Sequence, residues 1–246
     1  MTCLSPVPSF ADVSSSNQAE AAASFQAVDA LARQTRARGD LPRWSNPQEA
    51  AVLKRFWDVT KTLGASPYTS NDVPALLTIA DRAGALYKTY LLFSPQAGAL
   101  PDTASNTAKY QDEISRAVAY LLRIQSAELE AMTDFVKSLP AAEMNAARRA
   151  GLKQVHLGIN EMITSAILMI RSPGLQTANR DILLAALQDS ANLMAASTPK
   201  ADRMALVAQI DTIIPALDDQ QRPKALAVKA AFEQSACSPL CALDEQ

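Results

Sequence analysis

Histidine occurs once in this sequence, at position 156, and cysteine three times, at positions 3, 237 and 241. That scarcity removes most side-chain chemistry in advance. A zinc protease needs His-Glu-x-x-His on one helix, and a structural zinc needs four ligands at fixed spacing. A ferritin-like di-iron bundle needs two Glu-x-x-His motifs on facing helices. The sequence has neither the two-histidine motifs nor four zinc ligands at such spacing. A haem of the globin kind needs only one, but His156 falls at the edge of its helix's apolar arc, where a half-buried, hydrogen-bonded imidazole is the commoner case. Diphosphate chemistry on an aspartate-rich motif has a single doublet to draw on, Asp218-Asp219, in what reads as a loop between Pro215 and Pro223. There is no glycine-rich phosphate loop and no Gly-x-Ser-x-Gly elbow. No metal and no cofactor is expected.

Other shortages narrow the class further. The net charge is −2, without the basic excess of a dedicated nucleic-acid binder, so no nucleic-acid partner is expected. No apolar run approaches the roughly 20 residues that cross a bilayer. The best stretch, Ile159 to Ile170, is broken by Asn160, Glu161, Thr164 and Ser165 and reads as a buried helix. Glycine is present only seven times in 246 residues, and period-two alternation between turn signals is absent. Strands are therefore not expected.

What the chain has in abundance is alanine, 46 residues of it, the best helix former. Helical stripes follow one another along the sequence: 17–38, capped by Asn17 and closed by Gly39; a second running to 63, opened by Ser45 or Asn46 as cap with Pro47 at the first position; and 71–93. Two long stripes come next, 103–139 and 141–171, then 177–196, 199–217 and 221–234. The expected architecture is all-α, a single bundle of about eight helices around a long antiparallel hairpin (103–139 and 141–171) with its turn at Pro140. Residues 17–236 form the domain. Residues 1–16 read as a disordered tail or the remnant of a signal-peptide cleavage region, because Ser9-Phe10-Ala11 has a small-x-small pattern. Residues 237–246 read as a C-terminal tail.

In that tail, Cys237-Ser-Pro-Leu-Cys241 places two cysteines within disulfide reach. A bridge there would fit a periplasmic or secreted protein; two reduced thiols explain the spacing nearly as well. Arg38-Gly39-Asp40 has the form of an adhesion tripeptide, but Arg38 suits the negative end of a helix and Gly39 suits a C-cap.

The polar residues inside apolar stripes are the remaining candidates. Gln125 and Glu128 share the arc of Ile114, Leu121, Leu129 and Met132, and Arg148 shares the arc of Met144, Gly151, Leu152 and Val155. A charge in an apolar seam is costly unless paired. The hairpin register predicts a Glu128–Arg148 salt bridge with Gln125 beside it. Structural pairing is one explanation; a ligand site formed by Gln125, Glu128, Arg148 and His156 is the other. Gly151 and Gly158, on one face, predict the close approach of a neighbouring helix. Trp44, Trp57, Tyr68, Tyr87 and Tyr90 read as core packing, with a ligand groove as the alternative. The functional expectation is a non-enzymatic, exported helical protein that binds a protein or small-molecule partner. The alternative is an enzyme or cofactor protein with a polar site inside the hairpin.

Overall fold

The computed structural model describes residue 13 and residues 15–96 and 98–243. The expected cleavage region at residues 9–11 and the thiol of Cys3 lie outside the described residues. Among those described there are eleven α-helices, three short 3-10 turns and no strand, and no helix is long and apolar enough to cross a membrane. The bundle is all-α, as the stripes predict.

The N-terminal half is α1 (Ser15–Arg36), α2 (Pro47–Phe56), α3 (Val59–Thr62) and α4 (Val73–Leu91). Asn46 caps α2, its side chain accepting from Gln48 N and Glu49 N, and Pro47 takes the first helical position, where its missing N–H costs nothing. The stripe expected to run on to Leu63 breaks at Trp57, and Asp58 caps the short α3 by accepting from Lys61 N. Asn17, which sits where a cap was expected, lies inside α1 and donates to the carbonyls of Thr60 and Lys61. Val13 is buried, and its N–H bonds the buried carboxylate of Asp72. The chain is thus anchored before α1 begins.

The long stripe 103–139 is divided into α5 (Thr103–Lys109) and α6 (Gln111–Ser138) at Tyr110, whose side chain is fully buried. Helix α6 is the spine. One of its sides (Ile114, Leu121, Ile124, Ala127, Ala131) packs into the core of the N-terminal half. An adjoining side (Val118, Leu122, Leu129, Met132) packs into a second core with α7 (Ala146–Arg171), α8 (Thr177–Ser197), α9 (Lys200–Ile213) and α10 (Arg222–Gln234). Met162 and Met169 of α7 touch both cores.

The connection from α6 to α7 is longer than a turn at Pro140 allows. Residues 141–143 form a 3-10 turn, and Asn145 caps α7 by accepting from Arg148 N at 3.0 Å. No neighbour crosses at Gly151 or Gly158: a Cβ built on either would meet nothing within 4 Å among the described residues, which corrects the expected close approach.

The C-terminal segment is packed rather than trailing. Helix α11 (Pro239–Ala242) buries Leu240 and Cys241, and Ser238 N donates to Ala196 O at 2.8 Å. Cys237 and Cys241 are bridged, with their Cα atoms 5.4 Å apart.

Candidate functional site

Of the four polar residues singled out in the long stripes, the structure takes Arg148 out of the group. Arg148 sits in the first turn of α7, well exposed, where it reaches back to Glu143: Nη1 lies 2.5 Å from the Glu143 carbonyl and 3.6 Å from its carboxylate. The predicted Glu128–Arg148 bridge is not formed. The 3-10 turn shifts the register, and Arg148 finds its partner inside the connection itself. Glu128 is 5% exposed, and its Oε1 has no hydrogen-bond partner among the described residues, nor has Oε1 of Gln125 one turn earlier. Burial, with Asp81 of α4 adding to it, raises the Glu128 carboxyl to about 7. His156 is buried on α7. Gln125 and Glu128 share a face of α6; Arg148 stands apart from them.

A denser constellation lies at the other end of α6, around the segment that links α1 to α2. Gly39 adopts φ +74°, a conformation a side chain would strain, and so closes α1 as the sequence predicts. The chain then runs from Asp40 to Asn46 without regular structure, pinned from below at successive residues. The Asp40 carboxylate accepts from Tyr110 Oη at 2.6 Å, Leu41 N at 2.9 Å and Lys109 Nζ at 2.9 Å. Tyr90 Oη donates to Pro42 O at 2.8 Å. Glu49 accepts from Arg43 N at 2.6 Å and from Arg38 Nη2 at 3.1 Å. Glu113 accepts from Trp44 N, and its carboxylate lies 3.8 Å from Arg43 Nε. Arg43 Nη2 donates to Lys109 O at 2.7 Å, and its guanidinium stands 4.8 Å from the centre of the Tyr110 ring. The Trp44 ring carries Arg116 at 3.8 Å and Lys54 at 5.5 Å.

Electrostatics follow from this wiring. Burial acts to raise the Asp40 carboxyl, but the donors from Tyr110, Lys109 and Leu41 outweigh it, and Asp40 titrates below the ordinary range. Glu113 shifts the other way: its side chain is 1% exposed, and burial outweighs the help of Trp44 N and Arg43. Burial likewise raises Tyr90 and Tyr110, which remain protonated donors.

Above the pinned segment opens a cleft of about 650 Å³, lined among others by Arg38, Asp40, Arg43, Ser45, Gln48 and Glu49. A smaller hollow of about 150 Å³, between α5 and the end of α7, is lined by Ala104, Ala108, Met169 and Leu175 with Thr107, Gln111, Ser172 and Gly174, and has no charged wall. Charge and hydrogen-bonding groups concentrate at the first cleft. Among the described residues, no three His, Cys, Asp or Glu side chains are grouped to hold a metal.

Sequence reasoning reached this cleft only in part. Arg38, Gly39 and Asn46 were legible as capping residues, and Trp44 and Tyr90 as members of an aromatic group whose alternative reading was a groove. Lys109, Tyr110 and Glu113 were hidden, because they join the segment across 66 to 70 residues of sequence. No family model, curated protein or solved structure matches this chain.

Proposed function

We propose that this chain is a non-enzymatic, exported helical binding protein, and that the cleft over residues 35–49 receives its ligand. The observation that carries this reading is the preorganisation of the segment that lines the cleft: Asp40 and Arg43, which line it, are held by Lys109 of α5 and Glu49 of α2, and their neighbours Pro42 and Trp44 by Tyr90 of α4 and Glu113 of α6. A segment already fixed loses little conformational freedom when a ligand arrives, so more of the contact energy is retained as affinity. The acids of the cleft support binding over catalysis. Asp40 and Glu49 each accept two or more donors from the protein, which suits scaffolding rather than proton abstraction from a substrate. The Cys237–Cys241 bridge supports export to an oxidising compartment.

A second reading places an enzymatic or cofactor site inside the bundle, at Gln125 and Glu128. It is favoured by one observation: a buried carboxyl raised to about 7 lies in the range useful to a general acid or base.

Native mass spectrometry of protein purified gently from its own host tests the first reading. It should report a retained small-molecule or protein adduct together with the mass deficit of the two bridged cysteine hydrogens. Substituting Arg38→Ala should remove the adduct while leaving the fold intact. An adduct retained by Arg38→Ala and lost in Glu128→Gln would favour the interior site instead.

A further inference from the structure

We infer that the cleft takes a small molecule through an oxyanion, a carboxylate or a phosphate, clasped by the guanidinium groups of Arg38 and Arg43. This rests on reading the cleft as the ligand site, and adds the chemistry of what occupies it.

The argument is a balance of donors and acceptors. The two carboxylates of the cleft are already engaged by the protein. Three donors converge on Asp40 Oδ1 and none of them on its Oδ2, so one acceptor remains beside the cations, while Glu49 holds the Arg43 N–H with one oxygen and Arg38 with the other. The cations are less occupied. Arg38 carries five N–H donors; its side chain is 67% exposed, and one nitrogen meets Glu49. Arg43, 29% exposed, gives Nη2 to Lys109 O; its Nε is buried and lies toward Glu113, so only the rest of its fork is left for the cleft. What the cleft offers an incoming group is therefore chiefly N–H, to which Ser45 and Gln48 on the rim add hydroxyl and amide donors.

The shape of the donors matters as much as their number. A guanidinium presents paired N–H groups in a planar fork that fits a carboxylate or phosphate with two parallel bonds. Arg43 is braced for this: its backbone N–H is fixed by Glu49, its Nη2 by Lys109 O and its plane by the Tyr110 ring. Glu113 sits behind Arg43, buried, and offsets its charge without occupying the cleft. Arg116 and Lys54, on the Trp44 ring, add further positive charge nearby. Tyr90 and Tyr110 are engaged with Pro42 and Asp40, so they do not compete for the anion.

Isothermal titration calorimetry on the full chain at low ionic strength tests the inference with four probes: inorganic phosphate, citrate, glucose and spermidine. Phosphate or citrate is expected to bind and the other two are not, and whichever anion binds more tightly identifies the ligand's acidic group. Arg38→Ala should weaken that binding by about tenfold, the loss of one charge-assisted contact. Arg38→Lys should recover only part of it, since a point charge replaces the fork. Gln48→Trp should block the cleft altogether, and thermal melts should confirm that all three variants fold. Glucose or spermidine binding that Gln48→Trp abolishes, with both anions silent, would overturn the oxyanion and leave the cleft as the ligand site. Anion binding that survives both Arg38→Ala and Gln48→Trp would overturn the inference and the site together. So would the absence of heat from all four probes at millimolar concentration.

Discussion

Two buried glutamates on one helix illustrate how far partners decide the behaviour of a charge. Glu113 is covered by the segment it pins, accepting from Trp44 N beside the Arg43 guanidinium. Removing its carboxylate with Glu113→Ala strands the Trp44 N–H and leaves Arg43 uncompensated, and should cost about 3 kcal/mol in urea unfolding. Glu113→Gln keeps an acceptor for Trp44 and should lose clearly less; equal losses would contradict the pinning role. Glu128 has no such cover: its Oε1 is unpartnered among the described residues, and burial raises its carboxyl from 4.5 to about 7. The sign follows from linkage. Below 4.5 the group is protonated both folded and unfolded, and ionisation carries no penalty. As pH rises from 4.5 to about 7 the unfolded chain ionises first, so the folded state loses about 3 kcal/mol across that window. Glu128→Gln should abolish this loss and be favoured over the parent above pH 7. A variant with the same pH slope as the parent would refute that assignment.

Helices in this chain were legible wherever their signals are local. Gly39 stops α1, and Asn46 with Pro47 starts α2, because caps need only neighbours in sequence. The breaks at Trp57 and Tyr110 were not legible, since both fall inside apolar stripes. Tyr110 leaves helical geometry while its ring packs against Tyr90 and Phe93, contacts that no periodicity encodes. The two-sided burial of α6 was equally hidden: its apolar residues read as one seam, whereas the structure divides them between two separate cores. The expected Arg148 pairing failed because a seven-residue connection of unknown shape (139–145) set the register. The tail disulfide was legible from spacing, but the burial of Leu240 in α11 was not. Because the bridge closes only the short loop from Cys237 to Cys241, Cys237→Ser should loosen α11 alone. Hydrogen–deuterium exchange should speed over 236–243 and stay unchanged in α6 and α8. Faster exchange throughout α8 would show that the bridge holds the second core together.

At the scale of the molecule, two cores share one spine, and the cleft lies where the first core's linking segment is tied to the N-terminal end of that spine. The tie runs from α4, α5 and α6 through Tyr90, Lys109, Tyr110 and Glu113, so the shape of the cleft is set by groups remote in sequence. The gathering of these groups under one short segment, with arginines facing outward, is the central claim for function. Nuclear magnetic resonance of the arginine Nε–Hε groups during titration with phosphate and citrate tests it most directly. The account predicts saturable shifts at Arg38 and Arg43 while the remaining arginines, Arg148 among them, stay still. Uniform small shifts across all arginines, or movement confined to Arg148, would contradict it.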